Sequence, residues 1–123
     1  MTIREAIRRT DELCPNQYET NMKVGWLSRL DGIIYNEIIS THEGNTRESF
    51  DGYRESELDE ELLVPFPYGG DIYNYSLQAM IAKENGETNR YNDNIVMYNN
   101  AYQTFADRYN RTKRPVQRGN WRY

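Results

Sequence analysis

The sequence has few of the residues from which metal centres and cysteine-dependent active sites are built. Cysteine and histidine occur once each, as Cys14 and His42, in 123 residues. A zinc site of the usual type needs several such ligands at regular spacing, and this chain offers neither. A cysteine nucleophile with a histidine base would also need a third group to orient the base, and no motif supplies one. We predict no enzyme, no metal and no other cofactor.

Long apolar runs are also missing. No stretch approaches the roughly 18 apolar residues that a membrane helix requires, and residues 1–5 lack the apolar region of a signal peptide. The single cysteine cannot form an intramolecular disulfide, which fits a reducing compartment. The sequence therefore predicts a soluble intracellular protein that makes no membrane contact.

Charge is unevenly distributed, although the net charge is only −4. Residues 43–61, which we call the acidic loop, hold eight acids and two arginines. From Arg108 onward the chain has six basic residues and no acid. Segments of opposite sign can pair within one molecule, between copies or with a partner. We predict contacts between copies for these acids: Glu55, Glu57, Asp59, Glu60 and Glu61.

Tyrosine and asparagine are abundant, with eleven and thirteen copies. Between residues 91 and 109, aromatic and apolar side chains recur at alternating spacings of four and three, as on one face of a helix. They are Tyr91, Ile95, Tyr98, Tyr102, Phe105 and Tyr109. A tyrosine ring buries apolar area but leaves a hydroxyl that needs a partner, which favours a face that meets another protein.

Periodicity and capping motifs predict an all-α fold, a small bundle of three to four main helices. Thr2 and Glu5 form a capping box for a first helix that reaches Leu13. A longer amphipathic helix follows, from about residue 20 to Ile38. Asp71 is a good N-cap for a third helix, and the last helix reaches about residue 112.

One helix boundary is ambiguous. Asn85-Gly86 is a strong stop signal, yet the apolar spacing keeps its register through it, so residues 71–112 form either one long helix or a hairpin. We favour the break, because Glu87-Thr88-Asn89 is a poor helix interior and a hairpin lets two amphipathic faces bury each other.

The acidic loop combines turn chemistry with two candidate anchors. Phe50 and Tyr53 can pin it to the body, and residues 61–64 can form a short strand before Pro65 enforces an extended backbone. Elsewhere, the core is predicted to include Trp26, Ile34, Tyr98 and Tyr102. Gly25 and Gly32 lie seven apart in the second helix, and they either mark a close helix contact or are merely tolerated.

The chain divides into a helical domain, residues 1–112, and a flexible arm, residues 113–123. The arm has no apolar period and is basic and aromatic, so we expect it to order only against a partner. The residues assigned to partner binding are Arg111, Lys113, Arg114, Arg118, Trp121, Arg122 and Tyr123. An acidic groove on another protein is favoured as the partner. The alternative is nucleic acid, which also binds basic and stacking groups.

A series of short motifs, spread over nearly the whole chain to Thr112, is similar to small head-tail connector proteins of tailed phages and of prophages in Gram-positive bacteria. The motifs are Cys14-Pro15-Asn16, Trp26-Leu27-Ser28-Arg29-Leu30-Asp31-Gly32-Ile33-Ile34-Tyr35, Thr41-His42-Glu43, Phe50-Asp51-Gly52-Tyr53, Leu62-Leu63-Val64-Pro65-Phe66-Pro67-Tyr68 and Tyr109-Asn110-Arg111-Thr112. Each motif is weak alone, and their order and separation carry the resemblance.

The resemblance implies a structural virion protein rather than an enzyme. Such connectors are mainly helical, assemble as a ring beneath the portal protein after DNA packaging, and prepare the head for tail or stopper proteins. The expected location is the virion, and the host cytoplasm during assembly. In related connectors a C-terminal arm reaches into the portal, and residues 113–123 occupy that place here.

Overall fold

The computed structural model describes residues 1–42 and 49–112, and within these ranges the fold is helical. Its elements are α1 (Ile3–Leu13), α2 (Thr20–Glu37), a short 3-10 helix (Ile39–Thr41), α3 (Tyr68–Asn85) and α4 (Thr88–Thr112). The all-α prediction is confirmed at this level. The described ranges contain no strand, and the strand predicted at 61–64 is reduced to one isolated antiparallel bridge between Thr2 and Glu61. Residues 43–48 and 113–123, including the predicted arm, lie outside the described residues.

Helix α1 begins as its sequence predicts. The Thr2 hydroxyl accepts a hydrogen bond from the Glu5 amide at 3.2 Å, and the Glu5 carboxylate accepts one from the Thr2 amide at 3.3 Å. Two of the free amides at the start of the helix are thereby satisfied. Near the other end of α1, Asp11 binds the ammonium group of Lys23 in α2 at 2.8 Å. This salt bridge links the two helices, and the Lys23 side chain is almost completely buried.

The α3–α4 hairpin confirms the break at Asn85-Gly86. Gly86 caps α3 in the left-handed conformation, with φ of 75°, and its amide donates to the Lys83 carbonyl oxygen at 3.1 Å. A residue with a side chain rarely adopts this φ, which is why glycine ends the helix here. Because of this turn, α4 folds back and makes its most extensive helix contact with α3.

The start of α3 was predicted wrongly. The helix begins at Tyr68, before Gly69-Gly70, and not after Asp71. The Gly69 amide donates to the Pro65 carbonyl oxygen at 3.0 Å, and a β-carbon on Gly69 would lie 2.5 Å from the Val64 carbonyl oxygen. Gly69 is therefore required for a close approach within the first helical turn.

One apolar core joins the helices to the segment between α2 and α3. Its fully buried members include Ile3, Leu27, Ile34, Val64, Ile72, Tyr73 and Leu77. The prediction is confirmed for Ile34. It was wrong for Trp26, Tyr98 and Tyr102, which are half-buried and pack against the edge of this core. Of the α4 seam, only Phe105 is fully buried.

Gly25 and Gly32 do not mark a close helix contact. A β-carbon built on either residue meets nothing within 4 Å. Both lie inside α2, where glycine costs about 0.5–1 kcal/mol relative to alanine. We expect Gly25→Ala and Gly32→Ala each to raise the free energy of unfolding by about that amount, as measured by urea denaturation. A loss of stability on either change would restore the close-contact interpretation.

Candidate interaction surfaces

Asp31 connects the segment that leads to α3 with two helices. Its side chain is fully buried in α2 and accepts a hydrogen bond from the hydroxyl of Tyr73, in α3, at 2.7 Å. It also accepts one from the Tyr53 hydroxyl and one from the Leu63 amide, the latter at 3.0 Å. The Tyr73 oxygen in turn accepts from the Val64 amide at 2.8 Å. We call Asp31, Tyr53 and Tyr73 the Asp31 cluster.

Burial and negative charge act together on the two tyrosines of this cluster. Burial raises the pKa of both Tyr53 and Tyr73 far above the ordinary value of 10. The neighbouring Asp31 carboxylate raises each pKa further, because a second negative charge beside it is unfavourable. Both phenols therefore stay protonated and keep donating hydrogen bonds to Asp31. Hydrogen bonds from two neutral phenols to the buried Asp31 carboxylate thus connect α2 with α3 and with the loop that carries Tyr53.

The described part of the acidic loop, residues 49–61, is anchored by aromatic side chains. The Tyr53 ring is buried and contacts the Phe50 ring with a centroid separation of 5.0 Å, while Phe50 lies 6.5 Å from Tyr35 of α2. The Tyr53 amide donates to the Ser28 hydroxyl at 2.8 Å. Phe50 and Tyr53 therefore contact the body as predicted, and they fix this part of the loop against α2.

Two of the five predicted acids bind the start of α1. Glu61 pairs with the Met1 amino group at 2.9 Å, and Asp59 pairs with Arg4 at 3.0 Å. Both carboxylates are largely exposed, so each pair contributes at most about 1 kcal/mol and remains open to competition from an outside cation.

The side chains of the other three acids form no salt bridge with a helix in the described ranges. Glu57 makes only a local contact with Arg54, at 3.5 Å. Glu55 and Glu60 form no salt bridge with any residue of the described ranges. The five acids thus lie along one backbone segment beside α1, and their charge is largely presented to solvent.

Phe66 is a surface feature that the sequence reasoning missed. Its side chain is 91% exposed, the largest exposure among the exposed large apolar residues. The residues around it are fixed, since Val64 is fully buried and Pro65 accepts the Gly69 amide. The signal in the sequence was an aromatic residue between two prolines, Pro65 and Pro67, where neither helix nor sheet can form around it.

A groove of about 340 Å³ lies between α2, α3 and α4. Its floor and walls are mainly apolar and aromatic: Trp26, Leu30, Ile33, Met80, Ile95 and Tyr98. Its charged lining residues are Arg29 and Lys83, and both are basic. The half-buried part of the tyrosine seam therefore borders a groove, which explains why its rings are only partly covered. Burial raises the pKa of Tyr98, at this edge, to about 12.

The end of α4 is held against the end of α2. The Tyr102 hydroxyl donates to the Glu37 carboxylate at 2.6 Å. Further along, His42 Nε2 lies 2.7 Å from the Asn110 side-chain oxygen, and the His42 ring makes an edge contact with Tyr109 at 4.8 Å. These contacts fix the last turns of α4, from which residues 113–123 continue.

The residues predicted to bind a partner lie on both sides of Thr112, where the described part of the chain ends. Arg111 lies exposed in the last turn of α4. Six others lie outside the described residues: Lys113, Arg114, Arg118, Trp121, Arg122 and Tyr123.

The His42 ring is held by hydrogen bonds at both of its nitrogens. Nδ1 of the ring lies 2.6 Å from the Ile38 carbonyl oxygen, and Nε2 is taken by Asn110, so both nitrogens are engaged in structural hydrogen bonds. Within residues 1–42 and 49–112, no three histidine, cysteine or acidic side chains are grouped so that they could hold a metal ion.

Comparisons of the chain with protein-family models, with curated proteins and with solved structures gave no match. In the described part of the chain, none of the helices combines the length and the apolar character that a membrane crossing requires.

Proposed function

We propose that the protein is a structural virion component that joins the portal of a phage head to the tail, as one copy of a ring beneath the portal. Residues 113–123 bind the portal protein, and the helical domain supplies contacts to neighbouring copies and to tail or stopper proteins. The protein acts by binding alone. It occupies the virion, and the host cytoplasm during assembly.

The observation that carries this proposal is the way α4 ends. Tyr102, Tyr109 and Asn110 attach the last turns of α4 to the bundle through contacts with Glu37 and His42. The next eleven residues carry four basic side chains, two aromatic rings and no acid. A basic and aromatic segment that leaves a rigid helix at a fixed point is suited to reach into an acidic groove of a larger partner.

The surface of the domain supports a role in assembly. Its acids lie along one exposed segment beside α1, whereas its aromatic side chains border a groove on the α2, α3 and α4 side. Distinct polar and apolar faces on a small bundle allow one molecule to contact several neighbours at once. That arrangement is what a ring subunit between two larger assemblies requires.

Removing residues 113–123 tests the arm. We expect the chain that ends at Thr112 to keep its helix content and its free energy of unfolding, because the contacts of α4 lie before this point. We expect its affinity for the isolated portal ring to fall by at least a hundredfold, as measured by surface plasmon resonance. Unchanged portal binding would contradict the proposal.

Two full-length variants separate charge from stacking. In the first, the basic residues after 112 become alanine: Lys113, Arg114, Arg118 and Arg122. In the second, Trp121 and Tyr123 become alanine while all charges stay. An acidic portal groove predicts the larger loss, and the weaker salt dependence, for the first variant. Tight binding of duplex or single-stranded DNA by the full chain near physiological ionic strength, with no portal binding, would favour a nucleic-acid module instead.

A further inference from the structure

Phe66 has the properties of an anchor for another protein. An aromatic side chain that is 91% exposed is unfavourable in water, and its ring can bury about 150–250 Å² in a contact. The backbone that carries it is restricted before any contact forms, because Pro65 and Pro67 limit its conformations and the Val64 amide is held by Tyr73. A restricted backbone loses little conformational entropy on binding, which favours tight association.

The residues next to Phe66 are uncharged, but acids bound them on both sides along the chain: residues 62–70 carry no charge, and Glu61 and Asp71 flank them. Residues 55–71, which we call the acidic strap, contain six acids and no basic residue. Phe66 is therefore an apolar knob on a negatively charged segment.

The groove between α2, α3 and α4 has the complementary properties. Its apolar floor is bordered by Arg29 and Lys83, both exposed, and no acid lines it. Neither residue forms a salt bridge within residues 1–42 and 49–112. Residues 113–123 are basic and would be repelled by these charges, so the chain's own final segment is a poor occupant.

We propose that the Phe66 knob and acidic strap of one copy occupy the groove of a second copy of this chain. The aromatic ring enters between Trp26 and Met80, while the strap places carboxylates beside Arg29 and Lys83. This contact specifies how neighbouring copies meet in the ring. It rests on the proposed function only in placing that ring in a virion. It also gives the predicted acids of the loop a defined surface to meet.

The contact is heterologous, since knob and groove are different parts of the surface. Phe66 precedes α3, whereas Lys83 lies near the other end of this helix, about 22 Å further along its axis. Each copy can therefore give its knob to one neighbour and accept a knob from another. Such head-to-tail contacts close into rings when the rotation between copies allows it.

Methionine methyl NMR tests the contact, because Met80 lies in the groove and Met97 lies on the other side of the α3–α4 hairpin. The labelled chain is Phe66→Ala, which has a groove and no knob, and unlabelled wild-type protein is added to it. We expect the Met80 signal to shift or broaden with added wild type while the Met97 signal stays. Unlabelled Phe66→Ala, added instead, is expected to bind at least thirtyfold more weakly.

A charge-reversal variant is the second part of this experiment. Lys83→Glu in the labelled chain is expected to weaken the association several-fold and to reduce its salt dependence. No change at Met80 up to the solubility limit, or equal changes with either unlabelled protein, would overturn the knob-and-groove contact. The titration contains no portal, so a negative result would not bear on the proposal that residues 113–123 bind the portal. Conversely, the chain that ends at Thr112 keeps both Phe66 and the groove, so loss of its portal binding would not bear on the contact between copies.

Discussion

Replacing Asp31 with alanine is expected to lower the free energy of unfolding by about 3–5 kcal/mol. The change leaves the buried Tyr53 and Tyr73 hydroxyls and the half-buried Leu63 amide without their acceptor. A domain of this size has a total stability of about 5–15 kcal/mol, so most of it can be lost. Urea denaturation followed by circular dichroism measures the effect.

Two control variants locate the effect in the cluster. Tyr53→Phe removes one donor but keeps the ring and the other two hydrogen bonds, and is expected to cost about 1–2 kcal/mol. Asp51→Ala changes an exposed acid of the same loop and is expected to stay within about 0.5 kcal/mol of wild type. If Asp31→Ala behaved like Asp51→Ala, the Asp31 cluster would not connect the loop to the helices.

Stability is expected to fall steeply above pH 10. The pKa of Tyr53 and Tyr73 is raised in the folded protein, whereas both tyrosines titrate near the ordinary value of 10 in the unfolded chain. Their contribution is fully present below pH 10, and it is lost above it because the unfolded chain releases protons that the folded protein retains. Each tyrosine adds a slope of about −1.4 kcal/mol per pH unit, or about −2.7 for the pair.

Denaturation curves between pH 8 and 12 measure this slope, and tyrosinate absorbance shows which state has ionised. In Tyr53→Phe the contribution of one group is removed, so the slope is expected to become shallower by about 1.4 kcal/mol per pH unit. Tyr75→Phe is the control, since this tyrosine lies in α3, as Tyr73 does, but outside the cluster. Equal slopes in wild type and Tyr53→Phe would show that Tyr53 is not held as a neutral donor.

Local signals predicted most of the helix boundaries. The capping box at Thr2 and Glu5 and the stop at Gly86 each act within a few residues, so their chemistry can be read from the sequence alone. The start of α3 could not be read in this way. Gly69 is required by the Val64 carbonyl oxygen, a contact that depends on how the preceding segment approaches the helix.

The buried polar centre was also missed, although a signal for it was present. Asp31 lies four residues after Leu27 and three before Ile34, on the buried face of α2, where an unpaired carboxylate would be strongly unfavourable. That position indicates donors from elsewhere in the fold, but not their identity. Tyr53 and Tyr73 come from distant parts of the chain, so only the folded structure shows that they supply those hydrogen bonds.

The aromatic seam of α4 shows the limit of periodicity. Spacing correctly placed its residues on one face, but it could not show how much of that face a neighbour covers. Phe105 is buried beneath Tyr68, while Tyr98 and Tyr102 remain half-exposed beside α2. A tyrosine can lie either in a core or at the edge of a groove, because its ring is apolar and its hydroxyl is polar. The residue type alone therefore did not show which of the two places Tyr98 and Tyr102 occupy.

Hydrogen–deuterium exchange of the full chain, alone and with the isolated portal ring, tests the central claim most directly. Portal binding through the arm predicts that amides of residues 113–123 become protected when the portal is added, whether or not contacts between copies also protect parts of the helical domain. Added protection confined to the helical domain, with none in residues 113–123, would contradict the claim that this segment joins the protein to the portal.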